Sequence, residues 1–216
     1  NRKDTNTFSN NNVYTIIRDK DNNMWVGTYG GGLNLYKPGT NRFIRYKHHI
    51  GYSHSISSNR VEALLCDSKG NIWAGTFDGG LNLFDKKTNL FIHFLHDDNK
   101  NSISNNSINC LLEDKSGNLW IGTSGGLNYL DRKTNRFTVY TTRDGLPNDV
   151  IMGILQDDDG SLWISTNNGL SHFNPKIKSA ENYSVADGLQ GNEFKSGSCL
   201  KSSTGKFYFG GVNGLN

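Results

Sequence analysis

The chain has 216 residues, with 23 Lys and Arg against 20 Asp and Glu and a formal net charge of +3. That balance is too weak for a nucleic-acid surface, and no basic stripe interleaved with aromatic residues accompanies it. Gly numbers 25 and Pro only 3, which suits many tight turns, and no apolar run approaches the roughly 18 residues a membrane helix needs.

No signal peptide opens the chain, and Asn1 reads as an internal position of something longer. Residues 1–12 are polar and form a connector, since Phe8 to Val13 echoes Ile56 to Val61. An apolar run then ends in the turn Asp19-Lys20-Asp21-Asn22 and is followed by Met24-Trp25-Val26-Gly27-Thr28. Gly32 to Tyr36 comes next, and a short amphipathic run, Phe43 to Tyr46, closes the unit. The same order returns around Trp73, Trp120 and Trp163, and in degenerate form around Tyr208. These aromatic anchors are 48, 47, 43 and 45 residues apart, a period that means solenoid, propeller or array.

Each unit holds four runs of strand length separated by Gly, Asn and Asp turns. Leu119-Trp120-Ile121 is apolar on successive residues, so both faces of that strand want burial. Four-stranded antiparallel sheets buried on both faces and repeated in series describe a β-propeller. The expected fold is therefore all-β, with blades near 8–46, 56–95, 103–142, 145–185 and 188–216. The fifth has two strands and the start of a third, so an incomplete ring is expected. Asn22 stands where the other units have Gly, and those two residues tolerate a left-handed backbone, so this turn position should have positive φ.

The repeated string Asp-x-x-Gly-Asn-Leu-Trp-Ile-Gly-Thr-x-x-Gly-Gly-Leu resembles the two-component regulator propeller repeat. The resemblance runs over about 8–216, with Ser165 for Gly, Tyr208 for Trp and Asn22 for Gly as departures. The tail from Asp187 to Phe194 and from Gly205 to Leu215 is similar to the last blade of such a sensor. It implies a seven-bladed propeller in the periplasmic part of a Bacteroides-type hybrid two-component histidine kinase, detecting an oligosaccharide. It also implies further blades and a linker domain as partners, and a homodimer in the full-length protein. Neither nucleic acid nor membrane contact is expected of this chain, and no cofactor. A propeller lyase or glycoside-active enzyme and a protein-binding scaffold are the rival functions.

No side-chain constellation points to catalysis. His48, His49 and His54 lie in one connector, but their spacing matches no zinc motif, so no metal is expected. Asp19-Lys20-Asp21 and Asp157-Asp158-Asp159 fall on the first turn of their units, where Asp bonds nearby N–H groups. Asp97-Asp98-Asn99 is a third acidic run. Cys66, Cys110 and Cys199 show no paired spacing and read as small buried hydrophobes. Trp25, Trp73, Trp120, Trp163 and Tyr208 recur at one place and read as a structural core row. What varies between units lies in the connectors and in the loops between second and third runs, which share one rim in propellers. Variable loops on a rigid scaffold are where binding is placed. The expected ligand residues there are Tyr29, Phe77, His96, Arg143 and Asn167. Tyr29 and Phe77 would stack on a sugar ring, and Arg143 could take a uronate or sulfate through paired bonds.

Overall fold

The computed structural model describes residues 7–40, 42–98 and 101–216. The start of the first connector, residues 1–6, and Asn99 of the acidic run lie outside them. The sequence folds into five antiparallel sheets. The first holds β1 (Val13–Arg18), β2 (Met24–Thr28), β3 (Gly32–Tyr36) and β4 (Phe43–Tyr46). The second holds β5 (Val61–Cys66), β6 (Ile72–Thr76), β7 (Leu81–Asp85) and β8 (Leu90–Phe94). The third holds β9 (Ile108–Glu113), β10 (Leu119–Thr123), β11 (Gly126–Asp131) and β12 (Arg136–Tyr140). The fourth holds β13 (Ile151–Gln156), β14 (Leu162–Thr166), β15 (Gly169–Asn174) and β16 (Ser179–Tyr183). The last has β17 (Phe194–Lys201), β18 (Phe207–Gly211) and the short β19 (Gly214–Leu215). Strands are paired in chain order within every sheet, so the chain carries four full propeller blades and a three-stranded fifth.

The chain divides into two compact units, residues 1–96 with 106–108, and residues 97–105 with 109–216. In the first unit β1 lies beside β5, and Trp25, Leu33, Val61, Ile72, Phe84 and Phe91 form the core of blades one and two. In the second unit β13 lies beside β17. Trp120, Leu127, Ile151, Ile154, Leu162 and Phe173 pack blade three on blade four. Leu170, Phe194 and Phe209, with Trp163 and Phe207 against them, pack blade four on blade five. Trp25, Trp73 and Trp120 are buried, while Trp163 and Tyr208 are half-buried. On β18 of blade five the buried ring is Phe209, one residue on from Tyr208.

The first turn of each blade has the expected positive φ, at 64° for Asn22, 80° for Gly70, 81° for Gly117 and 95° for Gly160. Its Asp does more than cap the turn. Asp19 Oδ1 accepts the N–H groups of Asp21 and Asn23, and Oδ2 accepts Trp25 Nε1–H at 2.9 Å. Asp67 repeats this with Trp73 at 3.0 Å. Desolvation opposes ionisation of Asp19, but the donors from Trp25 and Asn23 outweigh it and hold the carboxyl below its ordinary value. A folded-state pKa below the unfolded one gives stability that is full above the unfolded value and lost as pH falls through the folded one. Asp19→Asn should therefore be less stable than the parent in urea at about pH 7, with the gap closing towards about pH 2. A gap that stays constant with pH would place the Asp19 contribution elsewhere.

Two departures from the repeat have compensating changes. A Cβ at Gly122 would lie 2.3 Å from Cys110 Sγ and 2.8 Å from Ile151, and Gly75 is crowded by Ile108 in the same way. Blade four carries Ser165 at this place, and the residue paired with it across the sheet is Gly153, so the space is supplied from the opposite strand. The second departure concerns the blade openers. Asn34, Asn82 and Asn128 accept the backbone N–H of Ser9, Ser57 and Ser104 at 3.0, 3.0 and 2.7 Å. In blade four the opener carries Pro147 at that position, which has no N–H, and Ser171 replaces the asparagine. The connectors entering blades four and five form short 3-10 turns, Thr142–Asp144 and Val185–Asp187, each closed by a capping box.

Candidate ligand-binding rim

The loop between β2 and β3 and the loop between β6 and β7 are held by the connectors that follow their blades. Asn59 C=O accepts from Gly30 and Gly32, and its Oδ1 accepts the His48 N–H at 2.9 Å. Asn106 does the same for Gly80 and His96, at 2.8 Å for the latter. One asparagine thus fixes the preceding blade's loop and its outer-strand exit together. This residue type had no special standing in the sequence, although the echo of Ile56 to Val61 at the chain start contained it.

These staples set Tyr29 and Phe77 side by side, with ring centroids 6.2 Å apart and edge to face. Tyr14, at the start of β1, stacks on Tyr29 at 5.3 Å. Arg60 lies against both loop rings, its guanidinium carbon 5.5 Å from the Tyr29 centroid and 4.5 Å from that of Phe77. It donates to Tyr29 Oη at 3.2 Å and pairs with Asp78. Phe77 is 41% exposed and Tyr14 58% exposed, so the aromatic run is open to solvent. Desolvation of Asp78 is outweighed by bonds from Ser58 and Arg60, which hold its carboxyl low. Burial pushes the neighbouring Glu62 carboxyl up. The cluster is therefore a pre-ordered aromatic and guanidinium surface whose charges are already partnered.

Next to it is a cavity of about 510 Å³, lined by His48, His49, Tyr52, Asp78, His93 and Asn106. His93 Nε2 and His48 Nδ1 lie 2.7 and 3.0 Å from the carbonyls of Ser55 and Ile56. Among the described residues no group of three or more His, Cys, Asp or Glu is arranged to hold a metal, and Cys66, Cys110 and Cys199 are free thiols.

The other expected ligand residues are placed as follows. His96 is exposed on the connector after blade two. Arg143 is exposed on a 3-10 turn of the second unit, and Asn167 is exposed in the loop between β14 and β15. Within the first unit, Arg60, Tyr14 and Asp78 lie beside Tyr29 and Phe77. Arg60 is the only basic residue immediately preceding a blade's first strand, which was the available signal.

The described residues form an all-β propeller of antiparallel blades. Residues 7–30, 55–78, 102–125 and 145–168 match the family described as Two component regulator propeller. The chain thus carries two-component regulator propeller repeats. No curated protein matches it. Among solved structures it is similar to the extracellular domain of the proposed hybrid two component system BT3049 from B. thetaiotaomicron. Identity there is 25% and the TM-score 0.71, over 95% of this chain and 33% of that one. The extracellular domain of the proposed one component system BT4673 from the same organism is similar at 22% identity and a TM-score of 0.69, over 97% of this chain and 34% of that one. A virginiamycin B lyase from Staphylococcus aureus shares the fold at 13% identity and a TM-score of 0.69, over 94% of this chain and 64% of the lyase. The chain spans about a third of the two B. thetaiotaomicron structures. Among the described residues no helix is long and apolar enough to cross a membrane.

Proposed function

We propose that the chain is a ligand-sensing, non-enzymatic part of the periplasmic propeller of a hybrid two-component histidine kinase, and that it detects an oligosaccharide on the rim carrying Tyr29 and Phe77. The observation behind this reading is the open aromatic run Tyr14–Tyr29–Phe77 with Arg60 against it. Sugar rings present an apolar face to such rings and hydroxyls to planar polar groups. The likeness to an extracellular two-component domain over 95% of the chain supports the sensory role. In this reading His96, Arg143 and Asn167 add polar contacts, and further blades, a linker domain and a second copy complete the sensor.

Calorimetric titration with a panel of neutral and acidic oligosaccharides tests it. Tyr29→Ala and Phe77→Ala should each weaken binding about tenfold. Phe77→Ala should do so with a stability change below about 0.5–1 kcal/mol, because the ring is open to solvent. Arg143→Ala should matter only for acidic glycans, and less as salt rises. Unchanged affinity in both aromatic variants would remove the site from this rim. Turnover of a panel member would favour an enzyme, and capture of a protein with no glycan binding would favour a scaffold.

A further inference from the structure

Tyr29 is the least open ring of the rim. It is half-buried, with Tyr14 stacked on it at 5.3 Å, Arg60 against it and the Phe77 ring set edge to face. The ring most open to an incoming ligand is Tyr14, 58% exposed.

Tyr14 owes its place to a break in the strand ladder. Between β1 and β2 the register runs Val13 with Thr28 and then Thr15 with Gly27, so Tyr14 is an extra residue without a partner strand position. Blade two makes the same break at Glu62, between the pairs Val61 with Thr76 and Ala63 with Gly75. Bulges of this kind re-aim a side chain and are over-represented beside functional sites. The break recurs at one place of the repeat while the residue it presents changes from tyrosine to glutamate.

Glu62 belongs to the same surface. Burial is the largest influence on its carboxyl and pushes it up, Arg60 draws it down, and Asp78 pushes it up again. Asp78 is satisfied by Ser58 and Arg60. The Glu62 carboxyl takes no hydrogen bond among the described residues, and its oxygens are not sealed from solvent. A half-buried carboxylate left without donors is stabilised by a ligand that brings them.

We propose that Tyr14 and Glu62 are ligand contacts of this rim and make it selective for neutral oligosaccharides over acidic ones. The proposal rests on the reading of the rim as a glycan site. The apolar face of one sugar ring lies on Tyr14, and neighbouring hydroxyls donate to Glu62. Arg60 and Asp78 neutralise each other, so Glu62 leaves the cluster with one negative charge. A uronate or sulfate placed there meets a like charge, which disfavours it.

Calorimetric titration with cellotetraose, maltotetraose, xylotetraose, mannotetraose, galactotetraose and tetragalacturonate tests this. At least one neutral sugar should bind about tenfold or more tightly than tetragalacturonate. Tyr14→Ala should weaken that neutral sugar about tenfold, whereas Tyr14→Phe, which keeps the ring, should leave it unchanged. Glu62→Gln should weaken the neutral sugar and strengthen tetragalacturonate, a change of preference that lost packing does not produce, and the gain should shrink as salt rises. Binding that falls in Phe77→Ala but is unchanged in Tyr14→Ala and Glu62→Gln would overturn this inference and leave the rim as the site. So would a parent chain that binds tetragalacturonate most tightly. Binding unchanged in all three variants, or no binding of any of these sugars, would overturn both.

Discussion

Trp25→Ala should lower the stability of the chain by about 4–5 kcal/mol, near the top of the usual range for a large aromatic residue removed from a core. Trp25 is 1% exposed, meets Phe84 edge to face at 5.1 Å and stacks on Tyr46 at 5.9 Å. Its loss opens a cavity in the core shared by blades one and two and takes away the indole donor of Asp19. Trp120→Ala should cost less, about 3 kcal/mol, because its slot is already hollow and its Nε1 makes no bond to lose. Urea denaturation of the two variants against the parent gives the comparison. Equal losses would mean that the Trp–Asp bond and the tighter slot at Trp25 contribute nothing measurable.

The framework was legible because its chemistry is local. A turn that needs positive φ admits Gly or Asn and little else, so Asn22 among glycines marks the hairpin in the sequence. Turn residues and doubly buried runs placed the strands, as at Gly32 to Tyr36, which is β3. The 3-10 turns at Thr142–Asp144 and Val185–Asp187 were not legible, since three helical residues leave no period to read. The candidate site was legible by halves. Equivalent loops in successive units put Tyr29 beside Phe77, which follows from the repeat alone. Arg60 was missed because it joins the rim from the connector backbone, where it bridges to Tyr29 and sends its side chain over two rings. The orphaned indole of Trp120 was hidden for another reason. It depends on a cross-strand pairing, Trp120 with Tyr129, whose consequence appears only when the side chains are packed.

The second large effect is expected at Gly122, two residues after Trp120. Gly122→Ser should destabilise by about 1–3 kcal/mol, as overpacking of a filled core does. The added atoms would meet Cys110 Sγ and Ile151. Blade four shows how the same serine is accommodated, with Gly153 facing Ser165. Cys110→Gly in the Gly122→Ser background should therefore recover part of the loss, although Cys110→Gly alone destabilises by emptying a buried position. A double-mutant cycle should give a favourable coupling of about 1 kcal/mol. Strict additivity would show that Ser165 and Gly153 are unrelated substitutions and that blade four relaxes by some other movement.

The account rests most heavily on the rim formed by Tyr14, Tyr29, Arg60 and Phe77. Its most direct test is a chemical-shift map of the labelled chain titrated with the tightest-binding oligosaccharide of the calorimetric panel. The account predicts that the largest shifts fall on Tyr29, Arg60, Phe77 and Asp78, with the rings of Tyr29 and Phe77 losing exposure to a soluble paramagnetic probe. A tight-binding oligosaccharide that leaves these four residues unmoved would contradict it.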